Sequence, residues 1–175
     1  MSERNRVMPD RVDLGKNAMS TMAAPMGRWK EWKENPAEAN PFGLRTVMGY
    51  NLPTWQRGLV WTPAQKISFI ESAWRGINLG TFTYNVAPIG HPLDFILIDG
   101  QQRMNAVECY LNDEFQVFGH YWSEVTKVDE RIWSMTTIFA SYMTETTDEA
   151  YLRGYYDMTN FGGTPHKETE RASAA

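Results

Sequence analysis

The chain has 175 residues, 42% hydrophobic and 13% aromatic, which supports one well-cored domain and excludes a disordered chain. A net charge of −4 argues against a general nucleic-acid binder, and the single cysteine, Cys109, excludes an intrachain disulfide or a cysteine-based metal cluster. No apolar stretch reaches the roughly 18 residues of a membrane span and none follows the polar start as a leader, so the expected setting is cytoplasmic and reducing.

Residues 1–33 carry seven Lys/Arg (Arg4, Arg6, Arg11, Lys16, Arg28, Lys30, Lys33) against four acids, a local +3 that leaves −7 for the remainder. With Pro9, Gly15, Pro25 and Gly27 and no sustained period, residues 1–40 read as a basic, weakly structured arm. Such an arm can touch DNA phosphates, although short basic arms are more often solvated tails. Trp29 and Trp32 stand at helical spacing and could pin it to the body.

The domain proper is expected over residues 41–170, with residues 171–175 as a frayed end. Leu44 to Tyr50 suggests a strand, and Pro53 keeps the next segment extended. Thr62, Pro63 and Gln65 spell a capping box with proline at the first helical position, and Gly76 a stop, predicting a helix over 63–75. Phe82, Tyr84 and Val86 alternate with Thr81, Thr83 and Asn85 as in a half-buried strand. Phe95 to Ile98 is a continuous apolar run, the pattern of a strand covered on both faces. Met104, Val107 and Leu111 then recur at helical spacing. Phe115 and Val117 suggest another short strand, residues 131–143 are ambiguous, and Thr146 to Glu149 reads as a second capping box before a helix carrying Leu152, Tyr155 and Tyr156. Thr164-Pro165 resembles a further helix start.

Three constellations could carry chemistry. In Asp99-Gly100-Gln101-Gln102-Arg103 a buried strand hands over to a helix, whose first N–H groups and positive dipole end suit an anion. Gly100 permits a sharp turn and close approach, the glutamine amides donate and accept, and Arg103 offers a bidentate fork for phosphate oxygens. The plainer account is helix capping by Asp99 with Gln102 as return partner, which leaves Gln101 and Arg103 without a task. Gln56-Arg57 adds another amide and fork, and Trp55 a surface for base stacking, or simply a core Trp beside a surface Arg. Asn160 to His166 combines paired glycines, Gly162 and Gly163, with a histidine able to meet phosphate or shuttle a proton, though a C-cap followed by a new helix reads alike. His91 and His120 lack neighbouring ligands and read as non-functional.

In this order, Gln56-Arg57 with Trp61, Ile98 to Arg103, and Asn160 to His166 resemble the N-terminal domain of GmrSD-type modification-dependent restriction proteins, within the ParB/sulfiredoxin-like superfamily. The resemblance spans residues 45–170 and implies an α+β domain, a small mixed sheet packed with helices, that binds and often hydrolyses a nucleoside triphosphate. In restriction members such a domain senses nucleotide or modified DNA and controls an HNH-type nuclease domain. The resemblance implies that Asp99, Gln101, Gln102 and Arg103 line the phosphate site, that Gln56 and Arg57 face it, and that Asn160, Gly162, Gly163 and His166 close it. Trp55 stands where many members have Tyr. The chain ends at Ala175 without a His-rich nuclease segment, so the expectation is a stand-alone domain, of phage or mobile-element type, acting alone or on a partner in trans.

The leading expectation is an NTP hydrolase: Arg57 and Arg103 neutralise phosphate, Asp99 holds Mg²⁺ or orients water, Gln101 positions the attacking water, and His166 is a spare acid/base. The alternatives are a DNA-binding or DNA-nicking protein using the same pocket, and a non-enzymatic inhibitor or regulator that engages a nuclease or defence protein in trans.

Overall fold

A computed structural model describes residues 12–160. Six strands form one mixed sheet in the order β1-β6-β4-β5-β3-β2, where β1 is Lys16–Ala18, β2 Arg45–Val47, β3 Tyr50–Leu52, β4 Thr81–Val86, β5 Ile96–Asp99 and β6 Ala140–Glu145. The helices are α1 (Ala23–Glu34), α2 (Pro36–Ala39), α3 (Pro63–Trp74), α4 (Gln101–Leu111), α5 (Lys127–Thr136) and α6 (Glu149–Asn160). β3 runs parallel to β5 and β4 parallel to β6, while the other neighbours are antiparallel. The fold class is α+β. Among the described residues no helix is long and apolar enough to cross a membrane.

β5 shows why its run is apolar throughout. Leu97 joins the core with Phe82, Met104, Val107, Tyr110 and Trp133, whereas Ile96 and Ile98 join a second cluster with Leu152, Tyr155 and Tyr156. Successive side chains alternate between faces, and helices cover both, with α3 and α4 on one side and α6 on the other.

The same cover corrects the expectation for β4, which is a central strand rather than a half-buried one. Thr83 meets the Tyr155 hydroxyl at 3.3 Å. Asn85, fully buried, donates to the carbonyls of Leu93 and Thr146 and accepts from Thr144 Oγ1 and the Thr146 N–H. Asn85→Ala would leave these buried groups unpaired and is expected to cost about 3 kcal/mol in denaturant unfolding. A loss below about 1 kcal/mol would show that this network is dispensable.

Helix α3 has the predicted capping box, with Thr62 Oγ1 accepting from the Gln65 N–H and Gln65 Oε1 from the Thr62 N–H. Its end is closed by bonds from the Gly76 and Ile77 N–H groups to the carbonyls of Ala73 and Ser72, a Schellman pattern. The cap of α6 differs from expectation: Asp148 Oδ1, not Thr146, accepts the N–H groups of Ala150 and Tyr151.

Other differences have local causes. The strand expected over 44–50 is a hairpin, because Met48 and Gly49 both adopt positive φ (50° and 77°) and Val47 pairs with Tyr50 across them. Around Phe115 and Val117 there is only an isolated Val117–His120 bridge. The ambiguous 131–143 region divides into the end of α5 and the start of β6.

Residues 16–39, expected within a weakly structured arm, instead build an edge strand and two helices. β1 pairs antiparallel with β6, and Met22 is wholly buried in the core. Pro25 falls in the first turn of α1, where its missing N–H has no intrahelical acceptor to lose. Three of its basic side chains are also engaged: Lys16 pairs with Glu145 at 2.6 Å, Lys33 lies over Trp29, and Arg28 stacks on Phe95 while donating to the Gly49 carbonyl.

Candidate functional site

Strand β5 ends at Asp99, and Gly100 turns the chain into α4 with φ +97°. No side chain caps this helix, so capping by Asp99 and Gln102 does not occur. Asp99 Oδ2 instead accepts from Arg103 Nη2 at 2.7 Å, one helical turn on. The pair is partly exposed, at 31% for Asp99 and 25% for Arg103.

Around this junction lies a cavity of about 270 Å³. Gln56, Arg57, Asp99, Gly100, Gln101, Gln102, Arg103 and Asn160 all line it, joined by Trp61, Ile98 and Tyr156. Three segments distant in sequence thus converge on one hollow. Gly162, Gly163 and His166 lie outside the described residues.

The side chains in this cavity divide by task. Gln56 Nε2 donates to the carbonyls of Leu97 and Ile98 at 2.6 and 2.8 Å, which uses both amide hydrogens and leaves none for an anion. Gln101 Nε2 donates to the Arg57 carbonyl at 2.8 Å. Gln102 Nε2 donates to the Gly58 carbonyl, while its Oε1 accepts from the Val60 and Trp61 N–H groups. The carbonyl partners fix the orientation of these amides, so the oxygens of Gln56 and Gln101 are buried acceptors with no partner among the described residues. Arg57 differs from its neighbours: its guanidinium has no ion pair or hydrogen bond among the described residues. Asn160 Nδ2 donates to the Tyr156 carbonyl at the end of α6.

Glycines shape the space occupied by Arg103. A Cβ on Gly80 (φ +79°) would lie 3.0 Å from Arg103 Nη1, and one on Gly100 3.6 Å from Nη2. Gly80 and Tyr156 escaped the sequence reading. A usable signal for Gly80 was its place two residues after Asn78, whose Oδ1 accepts the Gly80 N–H. For Tyr156 it was the helical spacing to Asn160. On the α6 face, burial raises the pKa of the Tyr155 phenol, and the nearby Asp99 carboxylate pushes the same way, so Tyr155 stays neutral.

Trp55 does not line the cavity. Its ring meets Tyr156 edge-on at 5.4 Å, its Nε1 donates to Glu149, and Arg153 lies over its face. Trp61 is the indole that reaches the hollow.

A larger hollow of about 410 Å³ opens between α1, α2 and the loop before β5. Its walls include Glu31, Glu38 and Asp94, and its cation, Arg28, is already stacked on Phe95 at 3.8 Å. Three carboxylates around an engaged arginine oppose a phosphate ligand, so the smaller cavity is the better anion site.

For Mg²⁺ the donor set is spare. Among the described residues no three His, Cys, Asp or Glu side chains are grouped to hold a metal ion. Asp99 Oδ1 nevertheless has no hydrogen-bond partner among the described residues, and one carboxylate matches the way Mg²⁺ is held when phosphates supply the remaining oxygens.

The structure therefore defines a class, an α+β domain with an arginine-bearing cavity where a central strand meets a helix N-terminus. A family model described as the GmrSD restriction endonuclease N-terminal domain matches residues 42–172, and the chain belongs to that family, which makes it restriction-related. No match was found among curated proteins or among solved structures.

Proposed function

We propose that the β5–α4 cavity binds the phosphates of a nucleoside triphosphate and hydrolyses it, in the service of a restriction or defence system. The observation that carries this reading is Arg57, which lines the same cavity as the Asp99–Arg103 pair and whose guanidinium has no counterion among the described residues. An arginine without a counterion among the described residues, in a cavity that also holds the uncapped start of α4, suits an arriving phosphate.

Arg57 and Arg103 would grip the non-bridging oxygens and stabilise the charge that shifts during phosphoryl transfer. The N–H groups opening α4 add partial positive charge. Gln101, which lines the cavity, would position the attacking water. Asp99 Oδ1 would hold Mg²⁺ arriving with the nucleotide, which supplies further charge neutralisation. His166 remains the acid/base candidate. Family membership points to a nuclease or other defence protein as the partner that reads the nucleotide state.

Melting the protein with ATP, GTP, CTP and UTP in Mg²⁺ tests the reading. At about one hundred times Kd the preferred nucleotide is expected to add about 2.7 kcal/mol of stability, a rise of about 5–10 °C in Tm. Arg57→Ala should abolish that rise while melting normally without ligand, since the Arg57 guanidinium makes no bond among the described residues and the carbonyl held by Gln101 is kept. A folded wild-type protein that neither shifts with nor hydrolyses any of the four would sink the proposal.

A further inference from the structure

We infer that Gln102 is a positioning residue: it clamps the segment from Arg57 to Trp61 against the start of α4, so that Arg57 is set in place before nucleotide arrives. This inference rests on the nucleotide reading above.

The segment has little else to hold it. It belongs to no strand or helix, and two of its apolar side chains face solvent, Leu59 at 47% and Val60 at 55% exposure. Ladder bonds, a usual anchor of a backbone, are missing from this stretch, and its apolar packing is confined to Trp61 at the far end, against the core and edge-on to Phe69 at 5.4 Å. Their place is taken by side-chain amides. Gln102, only 8% exposed, donates to the Gly58 carbonyl at 3.0 Å and accepts from the Val60 and Trp61 N–H groups at 2.9 and 3.2 Å. Gln101 holds the carbonyl of Arg57 itself at 2.8 Å, and Gln56 ties the near end of the segment to β5. One glutamine thus grips three backbone groups across four residues, and both lone pairs of its oxygen are in use.

A clamp of this kind acts on binding. An arginine whose backbone is already fixed avoids the entropy loss that ordering the whole segment would add when it meets phosphate, so removing the clamp weakens nucleotide affinity and leaves the chemical step nearly intact.

The test uses amide hydrogen exchange beside steady-state kinetics on the whole chain. In Gln102→Met the Val60 and Trp61 amides should exchange about tenfold faster and nucleotide KM should rise about tenfold, with kcat within about twofold of wild type. Gln102→Glu keeps an oxygen for both N–H groups and should retain their slow exchange; exchange as fast as in Gln102→Met would count against the clamp. Unchanged amide exchange in Gln102→Met overturns the inference, as does faster exchange with unaltered KM. A wild-type protein that binds no nucleotide overturns the reading of the cavity and the positioning role with it.

Discussion

Arg103→Ala is expected to lower nucleotide turnover by about a thousandfold, the scale on which an arginine acts when it neutralises a phosphoryl group in flight. The expectation comes from placement. Arg103 sits one turn into α4, its guanidinium is 2.7 Å from Asp99, and Gly80 and Gly100 leave room for its two terminal nitrogens. Losing it removes a fork from the cavity and also leaves Asp99 without its partner, so the hollow becomes more repellent to phosphate. The fold should barely notice, because an ion pair exposed to about this degree contributes no more than about 1 kcal/mol. Arg103→Lys restores the charge without the planar fork and should recover only part of the rate. Turnover at saturating nucleotide, measured beside thermal melts, separates these effects. Wild-type turnover in a folded Arg103→Ala protein would remove Arg103 from the reaction.

Much of this site was legible in the sequence, because its parts are local. The apolar run before Asp99 announced a strand covered on both faces, and Met104, Val107 and Leu111 announced the helix after it. Thr62, Gln65 and Gly76 bracketed α3 through caps whose partners lie within a few residues. What stayed hidden depends on partners far along the chain. Gln56, Gln101 and Gln102 look like ligand amides in a motif, yet their carbonyl and N–H partners stand more than forty residues away. Thr83 and Asn85 look like the wet face of a strand until α6 covers the first and the backbone at Leu93 and Thr146 encloses the second. Helix α1 was missed for another reason: Pro25 and Gly27 erase its period, and burial of Met22 and Pro25 against the body holds it instead of an apolar stripe. Tertiary cover overrode local preference in each case.

Gly100→Ala bears on why the motif contains glycine at all, and it is expected to destabilise the domain by about 2–5 kcal/mol. Two costs add. At φ +97° an L side chain is strained by about 1–2 kcal/mol wherever it stands. The added Cβ would also lie 2.8 Å from Phe82 Cβ and 3.4 Å from Phe82 Cα, and these are not the loose ends of a side chain. Phe82 is buried in the central strand β4, so relief requires the β5–α4 junction to move, an overpacking cost of about 1–3 kcal/mol. Gly76→Ala is the matched control: its φ is +74°, and nothing lies within 4 Å of its Cβ, so it carries the strain alone. The difference in Tm between the two variants isolates the contact with Phe82, and at about 2–4 °C per kcal/mol it should be about 2–12 °C. Coincident melting curves would mean that the strand yields to the extra methyl group. A clear gap would mean that the glycine between Asp99 and Gln101 is required by Phe82 beneath it, so the β5–α4 cavity owes its shape to the packing of β4 against the turn. In that case Gly100→Ala should also weaken nucleotide binding, because the shift that relieves Phe82 displaces Asp99 and Arg103 together.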